Sequence, residues 1–181
     1  MPHTNLNTPN FYTLNKNDIF NNIKDRVKSK AAGATVIVPH VCNNIDVFGG
    51  GFAAAVSNEF PIVKENFHLL GKKAKLGQTQ FVSAFKDKEY GHEIIFANMI
   101  AQNGLRNHKN TRPLNYAALV YAMSNVKLYM TDYKKTHDNA NIEIHCPKFG
   151  SGLAGGDWKF ISELIKDVWY PTNKNIFVYI L

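Results

Sequence analysis

Two patterns of apolar residues alternate along the chain: continuous runs, and positions that recur every three or four residues. Residues 35–41, 141–146 and 175–181 are largely apolar runs with few charged residues. Such runs predict strands, and the continuous apolar run 35–41 is typical of a strand that is buried on both faces of a sheet. In residues 18–30 and 158–168, apolar residues recur every three or four positions instead, which predicts amphipathic helices. The apolar face of the second helix collects Trp158, Ile161, Leu164, Ile165 and Val168.

The remaining segments continue the alternation of strands and helices. Residues 78–85 and 92–102 predict two neighbouring antiparallel strands, because only a short charged turn separates them. The other predicted elements are a short strand at 11–14, a small-residue helix within 49–58, and two helices opened by proline, 61–70 and 113–130. This order predicts an α/β protein: a three-layer α/β/α sandwich around a mixed, mostly parallel sheet. A chain of 181 residues fits one domain, 1–181.

Composition narrows the class of protein. No apolar run reaches the ~20 residues that span a membrane, and no basic start is followed by an apolar stretch, so we expect neither a membrane span nor secretion. We therefore expect a cytoplasmic monomer with two buried, reduced thiols, Cys42 and Cys146. Their spacing is not that of a zinc site.

The chain carries a formal net charge of +7 at pH 7 and has a pI of about 9.3. Its lysines are scattered, and no basic stretch is interleaved with aromatic residues. The charge therefore indicates a solvated surface with a general attraction for small polyanions, and it does not favour nucleic acid as a partner.

Two glycine loops carry the candidate chemistry. Residues 150–155, Gly-Ser-Gly-Leu-Ala-Gly, match the dinucleotide pattern G-x-G-x-x-G, yet only one helix and one strand are predicted after them. That position excludes the nicotinamide-binding arrangement, which needs further strand–helix units. Residues 47–53, Val-Phe-Gly-Gly-Gly-Phe-Ala, form a second loop after the strand 35–41, and neither loop continues as Gly-Lys-Ser/Thr. Since both loops follow parallel strands and precede helices, we expect them to grip a diphosphate from two sides.

The order of these motifs resembles the macro domain family. The first motif is "HVCNNIDVFGGGFAAAVSNEFP" at 40–61, and the second is "PKFGSGLAGGDW" at 147–158. The family's Gly-Asp-Ile is similar to Asn17-Asp18-Ile19, with Asn in place of Gly, and its last strand is similar to "FVYIL" at 177–181. The resemblance covers nearly the whole chain and is strongest to small stand-alone viral, phage or yeast-like members. For a viral protein, the compartment would be the host cytoplasm.

The resemblance implies ADP-ribose as the ligand. Asp18 would accept from the adenine amino group, Ile19 would pack on the ring and Tyr179 would stack on it. Alternatively, Asp18 is a helix N-cap and Tyr179 is a core residue. Asn43 would bind the hydroxyls of the distal ribose, and Asn44 would shape the corner. The distal ribose and diphosphate would be lined by Gly49, Gly50, Gly51 and Phe52, and the phosphates would be held by Gly150, Ser151, Gly152, Leu153, Ala154 and Gly155.

The resemblance also implies a reaction. His40, beside the expected position of the distal ribose, would act with Asn43 as the catalytic pair of a phosphatase that converts ADP-ribose 1″-phosphate to ADP-ribose and phosphate. We expect no metal or other cofactor, and an imidazole pKa raised by the phosphates. In the alternative interpretation, His40 is a strand-end histidine with a structural role only.

Two other functions stay open. One is a binding module without turnover, and the other is an ADP-ribosyl hydrolase that acts on modified macromolecules. One branch of the family uses a strand lysine and a loop aspartate for the latter reaction; here the strand 97–102 has no lysine and Ala154 occupies the aspartate position. Asp157 is either a catalytic acid or an acid at the first turn of a helix.

Overall fold

The structure, a computed structural model, describes residues 12–15, 18–28, 33–138 and 140–180. The elements follow one another as β1 (Tyr12–Asn15), α1 (Ile19–Arg26), β2 (Ala34–Asn43), α2 (Gly51–Glu59), α3 (Pro61–Leu70), β3 (Thr79–Lys86), β4 (Glu93–Gln102), α4 (Tyr116–Thr136), β5 (Asn141–Pro147), α5 (Trp158–Val168) and β6 (Ile176–Ile180). A short 3₁₀ turn at Gly71–Lys73 follows α3. The predicted alternation of strands and helices is therefore confirmed.

The strands form one six-stranded sheet in the order β1-β6-β5-β2-β4-β3. Every neighbouring pair is parallel except β3–β4, which is antiparallel. This confirms the predicted mixed, mostly parallel sheet and the antiparallel pair within it. The parallel strands all point to one edge of the sheet, so the loops that follow them gather there.

Helices cover both faces of the sheet, which gives the predicted three layers. On one face, α4 and α5 pack on the sheet through a core that includes Leu119, Met123 and Ile161. On the other face, α1, α2 and α3 pack through Ile23, Val56 and Phe67. Strands β2 and β4 lie between the two cores and are almost completely buried, which for β2 confirms the prediction from the continuous apolar run 35–41.

Helix boundaries show where local signals decide the fold. Helices α3 and α5 have the predicted limits. Helix α4 begins three residues after Pro113, because Leu114 pairs with Gln102 and the Asn115 side chain then caps the helix by accepting from Ala118 N. Helix α1 ends at Arg26, and Asn17 and Leu181 lie outside the described residues.

Two further expectations can be compared with the structure. Cys42 and Cys146 are both buried and free, as predicted. Within the described ranges, no helix is both long and apolar enough to cross a membrane. That residues 1–181 form one domain stays a prediction.

Candidate functional site

A cavity of about 900 Å³ opens at the carboxyl edge of the parallel strands. Its walls are the loop after β2, the loop after β5, the start of the segment after β4, and Ile180 at the end of β6. Both predicted glycine loops line it, Gly49–Gly51 on one side and residues 150–154 on the other. The volume falls in the range of about 300–1,000 Å³ that is usual for small-molecule sites.

The first loop presents unpaired backbone donors. Gly50 is the N-cap of α2 in an extended conformation, and no side chain caps this helix. Gly51 has φ 54°, a left-handed conformation that glycine adopts without strain. The N–H groups of the first turn of α2 therefore have no intrahelical partner, and the helix dipole adds positive potential at the same place.

The second loop is held in shape by its own backbone. Gly155 N–H donates to Gly152 O at 3.0 Å, and Gly156 N–H donates to Gly150 O at 2.8 Å. The Ser151 hydroxyl is also used by the loop, since it donates to Lys148 O at 2.8 Å. Gly155 was predicted to supply an N–H to a phosphate, but its N–H is already bonded and it does not line the cavity.

The loop nevertheless keeps several donors free. Among the described residues, no acceptor contacts the backbone N–H groups of Ser151, Gly152 or Leu153. All three residues line the cavity opposite Gly50. Two rows of free N–H groups face each other, which is an arrangement suited to an anion with two phosphates.

The charged residues that line the cavity are all basic. Arg106 and Lys148 line it, and its described lining contains no aspartate or glutamate. Lys148 Nζ also lies 5.9 Å from the centre of the Trp158 ring, a cation–π contact that orients the side chain. The cavity therefore has the polarity to attract a polyanion.

His40 forms part of the cavity wall but is only 1% exposed. Its Nε2 lies 2.7 Å from Asn98 Oδ1. Asn98 Nδ2 donates to Gln80 Oε1 at 2.9 Å, and Gln80 Nε2 donates to Asn66 O at 2.8 Å. Since a carbonyl oxygen can only accept, the two amides are oriented by Asn66, and Nε2 of His40 must be the protonated nitrogen.

The surroundings of His40 keep the imidazole neutral. Burial lowers the pKa of His40 to about 4, and the hydrogen bond to Asn98 opposes that shift only in part. The rings of Phe48 and Phe52 meet the imidazole edge-on, and the Cys42 thiol lies 3.7 Å from Nδ1. The unprotonated nitrogen thus has only a weak thiol donor for a partner. In the described chain without ligand, the pKa is lowered, whereas the sequence led us to expect a raised one.

Asn43 supports the loop through its own side chain. Its Oδ1 accepts from Ile45 N and Val47 N, both at 3.1 Å, and its Nδ2 donates to Val47 O at 2.6 Å. Asn44 fixes the neighbouring segment, since its Oδ1 accepts from Gly104 N at 2.9 Å and its Nδ2 donates to Asn103 Oδ1 at 3.1 Å. Asn43 lines the cavity, and a single amide proton remains for a ribose hydroxyl.

Asn43→Ala should lower the free energy of unfolding by about 1–3 kcal/mol, because two backbone N–H groups and one carbonyl lose their partner in a nearly buried corner. Urea denaturation of the wild type and the variant measures this difference. Asn141→Ala is a matched control, since this exposed asparagine makes only long contacts of 3.3–3.4 Å with Glu143 and Asn175. Equal stability of Asn43→Ala and wild type would show that the corner does not depend on this side chain.

The structure changes the roles of the three residues that the sequence assigned to adenine, Asp18, Ile19 and Tyr179. Ile19 and Tyr179 are both completely buried in the core under α1, so neither can contact a ring bound in the cavity. The Tyr179 hydroxyl lies 2.7 Å from His145 Nδ1, and the neighbouring residue Ile180 lines the cavity in its place. Asp18 is exposed and caps α1, with Oδ1 accepting from Phe20 N at 2.8 Å.

Asp157 has the structural role that its position predicts. It is the N-cap of α5, and its Oδ1 accepts from Lys159 N at 2.8 Å. It does not line the cavity. Among the described residues, no group of three or more His, Cys, Asp or Glu side chains is arranged to hold a metal ion.

Several cavity residues were not identified from the sequence. They are Val41, Val47, Ala53, Leu105, Arg106, Pro147, Lys148, Phe149 and Ile180. Lys148 lies inside the second motif and could have been found as the only cation there. Arg106 belongs to an irregular segment without a motif, so nothing in the sequence connects it to either loop.

The fold has clear counterparts among solved structures. An X-ray crystal structure of a Bacteroides thetaiotaomicron protein superposes with a TM-score of 0.71 at 25% identity, covering 94% of this chain and 99% of that one. A macrodomain protein from Streptomyces coelicolor gives a TM-score of 0.58 at 26% identity, with 86% and 93% of the two chains covered. No protein-family model and no curated protein sequence matches the chain.

A third counterpart carries a ligand. Thermosipho africanus DarTG in complex with ADP-ribose superposes with a TM-score of 0.59 at 19% identity, covering 80% of this chain and 38% of that one. At this identity the likeness concerns the fold alone. Together with the Streptomyces structure, it shows that the chain has the macro domain fold, and it supports the resemblance to the macro domain family.

Proposed function

We propose that this macro domain fold binds ADP-ribose in the cavity between its two glycine loops. The observation that supports this most is the pair of facing loops with free backbone N–H groups, in a cavity whose charged residues are Arg106 and Lys148. Such donors suit the diphosphate, and the volume of about 900 Å³ suits a ligand with two ribose rings and a base.

The two ends of the ligand would occupy different surroundings. The distal ribose would lie near Asn43, where one amide proton is free. The adenine would lie towards Ile180 and Phe52, whose ring stacks on Phe20 at 5.5 Å. Asp18 does not line the cavity, but its Oδ2 has no partner among the described residues and would accept from the amino group of an adenine that extends past the cavity rim.

Isothermal titration calorimetry with ADP-ribose tests the binding. AMP and ribose 5-phosphate are the matched competitors, because each offers only one phosphate and one half of the ligand. We expect ADP-ribose to bind more tightly than either by a factor of about 10 or more, since the second phosphate adds charge-assisted hydrogen bonds. Equal affinity for AMP and ADP-ribose would contradict the role of the second loop.

As a second step, we infer hydrolysis of the phosphate monoester of ADP-ribose 1″-phosphate. The specific observation is that His40, whose buried imidazole is neutral, and two cations belong to the lining of one cavity that has no carboxylate among its described residues. His40 would take a proton from the attacking water through Nδ1 and return it to the 1″ oxygen as the phosphorus–oxygen bond breaks. Arg106 and Lys148 would hold the charge of the transferred phosphate.

Phosphate release from ADP-ribose 1″-phosphate distinguishes this enzyme from a binding module. An ADP-ribosyl hydrolase would instead release ADP-ribose from modified macromolecules and leave the phosphate ester intact. The absence of carboxylates from the described lining, together with Ala154 in the second loop, makes the first of these reactions the better supported. The protein would work as a monomer in the cytoplasm.

A further inference from the structure

A second cleft lies outside the cavity, beside the segment that joins β4 to α4. It has a volume of about 410 Å³, and the polar or aromatic residues that line it are Asn103, Asn110, Arg112, Asn115 and Tyr116. The proposed ADP-ribose site uses none of them. The segment 103–113 closes on itself through Asn103 N–H, which donates to Pro113 O at 2.9 Å, so its side chains are presented by a defined loop.

The charge of this segment is entirely basic. It carries Arg106, Lys109 and Arg112 together with His108, and no aspartate or glutamate occurs anywhere in residues 94–131. Within the described part of the chain, none of the three permanent cations forms an ion pair. Asp157 contacts Tyr116 through its backbone, whose N–H donates to Tyr116 Oη at 2.8 Å, while its carboxylate caps α5.

Aromatic rings and side-chain amides lie beside these cations. The Arg112 guanidinium lies 4.7 Å from the centre of the Tyr116 ring. Phe160, which is 47% exposed, meets Tyr116 edge-on with 4.8 Å between the ring centres. The side-chain amide nitrogens of Asn103 and Asn115 have no acceptor among the described residues, so both remain as donors.

We propose that the cleft and the segment 103–113 bind single-stranded nucleic acid. Phosphates would contact Lys109 and Arg112, bases would stack on Tyr116 and Phe160, and the free amides would donate to base edges or phosphates. An acidic peptide would use the cations only, whereas a strand uses the cations, the rings and the amides together. The cleft and the ADP-ribose cavity have no lining residue in common: Arg106 lines the cavity, whereas Arg112 lines the cleft.

Folding creates this surface, which explains why the sequence did not favour it. In the sequence, Tyr116 and Phe160 are 44 positions apart, and only the packing of α5 against α4 brings them together beside Arg112. The binding would be independent of the ADP-ribose site, because neither Lys109 nor Arg112 lines the cavity.

Fluorescence anisotropy with labelled oligothymidylate, over a range of salt concentrations, tests the proposal. The double variant Lys109→Gln/Arg112→Gln should bind at least about 10-fold more weakly, with the slope of log K against log salt reduced by about 0.7 for each lost phosphate contact. Phe160→Leu should weaken binding about five-fold or more at constant salt slope, because stacking does not release counterions. Calorimetry with ADP-ribose should give an unchanged Kd for the double variant.

The matched control is Lys134→Gln/Lys135→Gln, which removes the same charge from the last turn of α4, at the other end of that helix from the cleft. An equal loss of affinity in this control would overturn the proposal, since net charge would then explain the binding. Wild-type protein that binds ADP-ribose but not the oligonucleotide would overturn it as well. If polyglutamate competed as effectively as unlabelled oligonucleotide, the proposal would also be overturned, and an acidic protein would be the better candidate for the partner.

Discussion

Gly152→Glu should abolish detectable ADP-ribose binding and leave the protein folded. An added Cβ at Gly152 meets no atom within 4 Å, so the change costs little in packing. The carboxylate would then stand in the cavity among the free N–H groups of the second loop, where the diphosphate is proposed to lie. Repulsion between like charges in such a site costs several kcal/mol, which is a loss of affinity on the order of 100-fold or more.

Two variants at the same position separate charge from size. Gly152→Ala should bind ADP-ribose within a few-fold of wild type, and Gly152→Gln, with the same length as glutamate but no charge, should fall between the two. Calorimetry measures all three affinities, and the thermal midpoint confirms that each variant is folded. A folded Gly152→Glu protein with wild-type affinity would show that the diphosphate does not bind at this loop.

His40→Gln should lower phosphate release from ADP-ribose 1″-phosphate by about 10²–10⁴-fold, the usual contribution of a positioned proton-transfer group. Glutamine is the suitable replacement because its amide can still donate to Asn98 Oδ1, so the buried acceptor is not left unpaired. The affinity for the product ADP-ribose should change little, since the diphosphate is proposed to bind to the two loops and not to His40. Phosphate release at the wild-type rate in this variant would remove His40 from the mechanism.

The dependence of the rate on pH follows from the burial of His40. Because its pKa is lowered to about 4, the imidazole is neutral and able to accept a proton throughout the neutral range. In kcat/KM, which reports the free enzyme, the contribution of His40 should therefore be flat from neutral to moderately acidic pH and fall only as the imidazole is protonated near pH 4. The ionisation of the substrate's own phosphate, at a pKa of about 6, is measured separately, and a further acidic limb near the reference histidine value of about 6.5 would show that the group responsible is not His40.

The sequence predicted the framework of the site better than its contacts. Both glycine loops were identified because their spacing after apolar strands is a local pattern, and the sheet brings the strand ends together in any fold of this class. The corner at Asn43 was identified as well, yet its amide bonds to the backbone at Ile45 and Val47. Asparagine commonly makes such bonds two to four residues along the chain, and no sequence pattern distinguishes them from bonds to a ligand.

The wrong and missed site residues lie at positions whose environment is set by tertiary contacts. In the short parallel strand β6, the residues on both faces are apolar, so the pattern could not tell that Tyr179 faces the core and Ile180 the cavity. Arg106 reaches the cavity because Asn44 and Asn110 bind the segment that carries it, through Gly104 N and the carbonyl groups of Asn103 and Leu105. The bond from Asn44 joins distant parts of the chain and those from Asn110 lie within one irregular loop, so none of them leaves a periodic signal.

The position of Leu153 has a consequence for how fast a ligand can be exchanged. Its side chain, 61% exposed, extends from the second loop until Cδ1 lies 3.2 Å from where a Cβ of Gly50 would be, so it bridges the two walls of the cavity. A diphosphate bound between the loops, as proposed, would contact this side chain on its way out. Rotamer changes of exposed side chains take picoseconds to nanoseconds, far less than the residence time of a ligand at micromolar affinity. If ADP-ribose binds as proposed, contacts with Leu153 would prolong the bound state, whereas the movement of this side chain would be too fast to set the rate of release.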